Sequence, residues 1–131
     1  MANLPIRENW IAHSPNTMQQ AIEATERILS RKPRPTAIVC ANDVMAFGAK
    51  RYIESLGLEI GTDISLTGYD DTPVAELIDL TSIAQPIALI ANRVIDLLLA
   101  EISHQRPADH HITLEPSLVV RESSARPRKT K

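Results

Sequence analysis

Short apolar runs alternate along this chain with longer segments of helical periodicity, and this alternation limits the fold more than any other feature. Residues 37–41 form a continuous apolar run between turn residues, which is typical of a strand covered on both faces. Residues 64–69 and 80–85 form two further strand-like runs. Strands that alternate with helices over short linkers predict an α/β fold with a mostly parallel sheet.

Four segments have the apolar periodicity of helices. The first is predicted to begin at Pro15, with Ser14 as its N-cap, and its apolar residues recur from Met18 to Leu29. Residues 32–35 contain two prolines and end it. The second ends at Gly57, a predicted left-handed cap. A short piece covers residues 74–78, and a long helix covers residues 86–103.

Three further segments are predicted from weaker patterns. Residues 9–12 read as a short strand, and residues 112–121 read as a final strand. Pro116 interrupts the latter, which favours an edge strand or a bulge. The basic tail of residues 126–131 is predicted to be disordered.

Composition excludes several classes of protein. The 131 residues suit one domain, and a net charge of −2 gives no basic excess for a phosphate backbone. No apolar run reaches the ~18 residues of a membrane span, and no secretory signal is visible. A single cysteine, Cys40, fits a reducing compartment and predicts a cytoplasmic location. The four histidines do not pair with Cys40 at a metal-ligand spacing, so no metal site is expected.

Polar side chains follow the three central strands. Asn42, Asp70 and Gln85 stand where these strands end, and ligands of open parallel sheets bind at that edge. Amides and a carboxylate together suit a polyhydroxylated or amide-bearing small molecule. Asn and Asp also cap helices and turns, so spacing alone leaves both interpretations open. The neighbouring Asp43 and Asp71 are expected to fix local geometry rather than to contact a ligand.

Catalysis and cofactor binding have little support in the sequence. Asp70 and Asp71 could act as paired carboxylates, but neighbouring strand residues point to opposite faces. No nucleophile is recognisable nearby. The spacing of the four glycines matches neither a dinucleotide-binding fingerprint nor a phosphate loop. We therefore expect neither an enzyme nor a bound cofactor.

Four ordered segments resemble the lactose/galactose-repressor family of bacterial transcription regulators. Residues 35–49 read PTAIVCANDVMAFGA, and residues 57–71 read GLEIGTDISLTGYDD. Residues 80–86 and 114–124 resemble the family's strand before the last crossover and its closing strand. The resemblance covers nearly the whole chain.

The resemblance implies the C-terminal lobe of a type I periplasmic-binding-protein fold, a three-layer α/β sandwich. Residues 1–125 would form part of an effector-binding domain, with residues 86–103 as its crossover helix. In this family a helix-turn-helix headpiece, which has no counterpart here, contacts operator DNA. The implied function is therefore sensing of a sugar-like effector, within a cytoplasmic regulator that forms homodimers.

The resemblance also assigns site residues. Asn42 and Gln85 match the family's amide and polar contacts, and Asp70 matches its ligand-binding carboxylate. Asn16 stands where the family usually places an aromatic that stacks on the ligand, a departure that favours a more polar effector. Residues 78–80 also lack the proline that is common in the family at this point.

Three alternatives remain open from the sequence. The chain could be a stand-alone sugar-binding protein of a transport system, an enzyme that uses Asp70 or Asp71, or a dimerisation module without a site. Apolar residues occupy more than one stripe of the helix at residues 86–103. We therefore predict that another chain, or a swapped copy of this one, covers that helix.

Overall fold

The computed structural model describes residues 7–104 and 111–126. At its centre is a four-stranded sheet in the order β1 (Ala37–Val39), β2 (Ser65–Tyr69), β3 (Thr81–Ala84) and β4 (Ser117–Val119). Strands β1, β2 and β3 are parallel, and β4 is antiparallel to β3. Because three of these strands share one direction, the predicted α/β class with a mostly parallel sheet is confirmed.

Four helices accompany the strands: α1 (Met18–Leu29), α2 (Asp43–Ser55), α3 (Pro73–Leu77) and α4 (Ile87–Ile102). Helix α2 connects β1 to β2, and α3 connects β2 to β3. The helices α1 and α2 pack closely, because a Cβ on Gly48 would lie 3.0 Å from the Cβ of Ala21. A side chain at position 48 would therefore push these helices apart.

The hydrophobic core lies between one face of the sheet and helices α1, α2 and α3. Its buried residues are Leu29, Ile38, Ala46, Ala49, Ile53, Ile64, Leu66, Ala75 and Leu80. Burial of a side chain such as Ile53 or Leu66 contributes about 1.5–3 kcal/mol. This packing holds the beginning of α2 at the carboxyl edge of the parallel strands.

Strand β1 is covered on one face only. Ile38 is 8% exposed and faces the core, whereas Val39 is 82% exposed. Successive strand residues point to opposite faces, so Val39 lies on the side of the sheet away from α1 and α2. The prediction that both faces of this strand are covered was therefore wrong for the described residues.

The ends of α1 and α2 follow from their caps. Thr17 caps α1, since its Oγ1 accepts from the backbone N of Gln20 at 3.3 Å. The prediction of Ser14 as N-cap was wrong because Ser14 lies too early to reach the free N–H groups of the first turn. The hydroxyl of Ser14 is buried without a hydrogen-bond partner in the described residues. Gly57 has a φ of 72°, which confirms the left-handed cap after α2.

Two weakly predicted strands differ from the structure. Residues 9–12 do not form the predicted strand: Glu8–Trp10 is a short 3-10 helix, and the N of Ile11 donates to the O of Glu8 at 3.1 Å. That local bond uses a donor that a strand ladder would need. The predicted strand at residues 112–121 contracts to Ser117–Val119, directly after Pro116. Of the predicted disordered tail, residues 127–131 lie outside the described residues.

Helix α4 has no buried residue. Six of its aliphatic side chains are between 54% and 66% exposed: Ile87, Val94, Ile95, Leu98, Leu99 and Ile102. Residues 111–114 lie beside one part of α4, but these six side chains stay more than half exposed. Cover of the helix by another chain stays a prediction. Across residues 7–104 and 111–126, no helix combines the length and apolar character needed to cross a membrane.

Candidate ligand-binding site

The three parallel strands bring the predicted site residues to one edge of the sheet. Asn42 follows β1, Asp70 follows β2 and Gln85 follows β3. Carboxyl ends of parallel strands meet at the same edge, where ligands of open α/β sheets bind. The edge therefore collects two amides and one carboxylate from separate parts of the chain.

Asp70 and Gln85 contact each other directly. The Nε2 of Gln85 donates to the Oδ1 of Asp70 at 2.7 Å. The side chain of Asp70 is exposed, and its backbone has a φ of 99°, a region that non-glycine residues rarely adopt. The backbone N of Asp70 donates to the O of Ile83 at 2.9 Å, which continues the pairing of β2 and β3. These two side chains thus form a preassembled polar pair.

Asn42 caps helix α2 and is half-buried. Its Oδ1 accepts from the backbone N of Met45 at 2.8 Å. Its amide nitrogen makes no hydrogen bond to another described residue. The capping interpretation of Asn42 is therefore correct for the oxygen, while the nitrogen can donate to a ligand.

Asp43, the residue after Asn42, links the beginning of α2 to the turn that carries Asp70. The side chain of Asp43 is fully buried, and its Oδ2 accepts from the N of Thr72 at 2.7 Å and from the Oγ1 of Thr72 at 2.9 Å. Its Oδ1 accepts from the Oγ of Ser82 at 2.6 Å. These bonds join the first turn of α2 to β3 and to the turn after β2. The expectation that Asp43 fixes local geometry agrees with these contacts.

Gly68 makes room for this buried carboxylate. A Cβ at position 68 would overlap the Oδ1 of Asp43 and would lie 2.7 Å from the Cδ2 of Leu80. Gly68 lies in the middle of β2, where a glycine usually weakens a strand. Its absence of a side chain is required here by the approach of Asp43.

The side chain of Asp71 binds a different partner from that of Asp70. Its Oδ1 accepts from the Nη1 of Arg121 at 2.7 Å, and its backbone N donates to the Oγ of Ser82 at 3.2 Å. Since Asp70 and Asp71 bind different partners, they do not form a carboxylate pair. This arrangement gives no support to an acid–base centre that needs both groups.

Asn16 lies apart from the polar pair. It is exposed, two residues before α1, and it makes no hydrogen bond to Asn42, Asp70 or Gln85. Because α1 leads into β1, the beginning of α1 and the carboxyl end of β1 lie on the same side of the sheet. Asn16 thus lies on the same side of the sheet as the other three residues, and its role toward a ligand stays a prediction.

A mostly apolar cavity of about 150 Å³ is lined in part by Cys40, Ala41 and Met45. Burial raises the pKa of the Cys40 thiol from 9.0 to about 12. The thiol therefore stays neutral at physiological pH and packs as a small apolar group. Among the described residues, no group of three or more His, Cys, Asp or Glu side chains could hold a metal ion.

The sequence did not reveal several residues that build this edge: Thr72, Ser82 and Arg121. Thr72 and Ser82 lie 29 and 39 positions after Asp43, and Arg121 lies 50 positions after Asp71. The one signal in the sequence is that two polar residues stand side by side at a strand end, as in Asn42-Asp43 and Asp70-Asp71. One residue of each pair can then bond within the protein while the other faces solvent. Which residues bond to Asp43 and Asp71 depends on the register of the sheet.

An edge of this kind on a mostly parallel sheet defines one lobe of an α/β ligand-binding protein, and comparison with known proteins agrees. Residues 1–124 match the periplasmic binding protein-like domain family. A transcriptional repressor of Yersinia pestis, the helix-turn-helix-type PurR, is 37% identical over 126 residues. These residues are 95% of this chain and 37% of the repressor.

Solved structures give the same result. A regulatory protein of the LacI family from Chloroflexus aggregans superposes with a TM-score of 0.87 at 38% identity, covering 94% of this chain and 45% of that one. The regulator CelR in complex with cellobiose gives a TM-score of 0.87 at 30% identity, covering 94% of this chain and 38% of that one. The lac repressor dimer bound to operator and the anti-inducer ONPF gives 0.76 at 36% identity, covering 84% and 39%.

The chain belongs to the periplasmic binding protein-like domain family, in the form found in lactose/galactose-repressor (LacI) regulators. It spans less than half of the length of these relatives.

Proposed function

We propose that this chain is the effector-sensing part of a bacterial transcription regulator, and that Asn42, Asp70 and Gln85 contact the effector. The observation that carries the proposal is the Gln85–Asp70 pair, held at the edge that other α/β proteins use for ligands. The pair leaves carboxylate and amide groups available at an exposed position. Such groups favour a neutral, polyhydroxylated or amide-bearing molecule over an anion.

The class of effector is proposed as sugar-like. CelR, a relative of similar fold, was solved with cellobiose. Asn16 replaces an aromatic that the family usually stacks on its ligand, so the effector would make polar contacts at that point. A lobe that supplies only some of the contacts is expected to bind weakly. A Kd of about 1 mM corresponds to a binding free energy of about −4 kcal/mol.

The partners of the whole protein are part of the same proposal. The lac repressor was solved as a dimer bound to operator, and a homodimer that contacts operator DNA through a separate headpiece is proposed here. Residues 1–125 would then form part of the effector-binding domain of a cytoplasmic protein. The effector can change operator affinity only if it binds two states of the dimer differently.

Ligand titration by NMR tests the binding step. Cellobiose, lactose and a cyclic amide such as uracil are titrated into the ¹⁵N-labelled chain at millimolar concentrations. We expect at least one of them to shift the side-chain amide signals of Asn42 and Gln85. Asp70→Asn should weaken that response about tenfold, because a neutral amide accepts a hydrogen bond less strongly than a carboxylate.

A matched control separates binding from general effects. Asp96→Asn changes an exposed carboxylate on α4 and should leave the titration unchanged. Unchanged Asn42 and Gln85 signals with every ligand class would contradict the proposal. Micromolar affinity in the isolated chain would contradict its weak-binding part.

The gene sequence before the codon of Met1 tests the regulatory assignment. A basic helix-turn-helix region is expected for a regulator, and an export signal for the binding protein of a transporter. The effect of Asp70→Asn distinguishes an enzyme from a sensor. Asp70→Asn would then abolish turnover of a substrate, whereas in a sensor it only weakens binding.

A further inference from the structure

Arg121 reaches from the last strand to the turn that carries Asp70. It lies two residues after the end of β4, and its Nη1 donates to the Oδ1 of Asp71 and to the O of Leu80, both at 2.7 Å. The side chains of Arg121 and Asp71 are only 18% and 19% exposed. Both side chains are less exposed than those of Lys50–Glu54, at 23% and 49%, and of Arg93–Asp96, at 53% and 65%.

The backbone of Arg121 is fixed from the opposite side. Its N donates to the Oγ1 of Thr81 at 2.9 Å, and the same hydroxyl donates to the O of Arg121 at 3.0 Å. Thr81 is the first residue of β3 and is itself buried. The guanidinium thus projects from a rigid base toward Asp71.

The turn that Arg121 contacts has an unusual backbone. Asp70 and Asp71 have φ values of 99° and 48°, so two successive non-glycine residues lie in the left-handed half of the φ range. Such conformations persist only where surrounding contacts hold them. The backbone N–H groups of Asp70 and Asp71 are bonded to β3 residues, and Arg121 supplies the bond to the side chain of Asp71.

We propose that Arg121 is a positioning residue for the ligand-binding carboxylate. By holding Asp71, it keeps the turn in the conformation that places Asp70 beside Gln85. The inference rests on the proposed function insofar as it assumes that Asp70 binds a ligand. It adds a link between distant segments, because Arg121 follows β4 and contacts the turn after β2.

The positioning step can be tested without any ligand. In the full chain, Arg121→Gln should move the Gln85 side-chain amide signal and speed hydrogen exchange of the Asp70 and Asp71 amides about tenfold. Arg121→Lys keeps the charge and should restore part of the wild-type spectrum. The matched control is Arg93→Gln, which breaks an exposed ion pair with Asp96 and should leave these signals unchanged.

A second variant covers the case in which Arg121→Gln does not fold. Asp71→Asn removes the charge from the other partner and leaves the contact of Arg121 with the O of Leu80 in place. It should produce the same changes at Gln85 and Asp70. Unchanged Gln85 and Asp70 signals in either folded variant would overturn the inference.

Ligand affinity then separates the inference from the proposed function. With a compound that binds the wild type, Arg121→Gln should raise Kd about tenfold, and Arg121→Lys should reverse part of that loss. Equal affinity of wild type and Arg121→Gln would overturn the positioning role and leave the proposed function intact. Loss of the Gln85 and Asp70 signatures in a chain that binds none of the compounds would support the positioning role and contradict the proposed function.

Discussion

The carboxyl edge of the sheet buries a charged side chain, whereas helix α4 exposes apolar ones. Each is the reverse of the usual distribution, in which charged groups are exposed and large apolar groups are buried. At the edge, the carboxylate of Asp43 is fully buried, and both of its oxygens accept hydrogen bonds. On α4, Ile87 and Ile102 are 61% and 66% exposed. The edge contains its own partners within this chain. Six apolar side chains of α4 remain more than half exposed among the described residues, and we expect another chain to cover them.

The largest expected effect is at the edge. Asp43→Ala should lower the free energy of unfolding by about 3–5 kcal/mol, because the buried hydroxyl of Ser82 and the half-buried N–H and hydroxyl of Thr72 would lose their acceptor. Urea denaturation measures the change. Asp96→Ala, which removes a carboxylate whose side chain is 65% exposed, should change stability by no more than about 0.5 kcal/mol. Equal effects of the two variants would remove the distinction between the regions.

Substitutions on the apolar surface of α4 should change the self-association of the chain rather than its free energy of unfolding. We expect the wild-type chain to self-associate, and the double change Val94→Gln with Leu98→Gln should weaken association about a hundredfold. These two side chains lie four residues apart on one helix face, and each contributes about 1.5 kcal/mol or more when buried.

Sedimentation velocity over a range of concentrations measures this association. Val39→Gln changes an apolar side chain that is 82% exposed on the sheet, and it serves as the control because it lies outside α4. A wild-type chain that remains monomeric at every concentration would show that a second copy does not cover α4.

Gly68→Ala tests the tight approach of Asp43 to β2. The new methyl group would overlap the Oδ1 of Asp43, so we expect a loss of about 1–3 kcal/mol in urea denaturation. The same change in an Asp43→Ala background should cost less, since one of the two obstructing groups is absent. Strict additivity of the two changes would argue that Gly68 is needed for another reason.

The smallest expected effect is the contribution of the Cys40 thiol to the pH dependence of the free energy of unfolding. Its raised pKa of about 12 means that the folded thiol stays neutral while the unfolded thiol ionises near 9.0. Stability should therefore be unaffected well below pH 9 and should fall as pH rises toward 12, by about 1.4 kcal/mol at pH 10.

Urea denaturation at pH 7 and pH 10 measures the effect of Cys40. Comparison with Cys40→Ala separates it from other groups that titrate in the same range. An equal fall in both proteins would show that the thiol is more accessible to solvent than its packing indicates.

The order of helices and strands could be predicted from the sequence because apolar spacing determines which face of each element is buried. Helix α1 and Gly57 illustrate this success. The N-cap of α1 was assigned to the wrong residue because Thr17 and Ser14 have equivalent capping chemistry. The strand at residues 9–12 was not found because local hydrogen bonds favour a 3-10 helix there. Strand burial also failed at Val39, because an apolar run does not show whether one or two faces are covered.

The candidate site was predictable in part. Adjacency to strand ends placed Asn42, Asp70 and Gln85 on one edge, and this follows from parallel topology alone. The contacts of Asp43 with Ser82 and of Asp71 with Arg121 require the register between distant segments. A single sequence contains no direct signal for such pairs. The assignment of the three edge residues to a ligand stays a prediction.

The position of Trp10 affects how this protein can be studied. The indole Nε1 donates to the O of Pro33 at 3.0 Å, ahead of β1, and so lies toward the amino ends of the strands. Trp10 is the one tryptophan in the sequence. Its fluorescence therefore monitors the end of the sheet opposite to Asp70 and Gln85. A titration followed by tryptophan emission alone would miss a small molecule bound at the other end, so the fluorescent reporter has to be introduced close to Gln85.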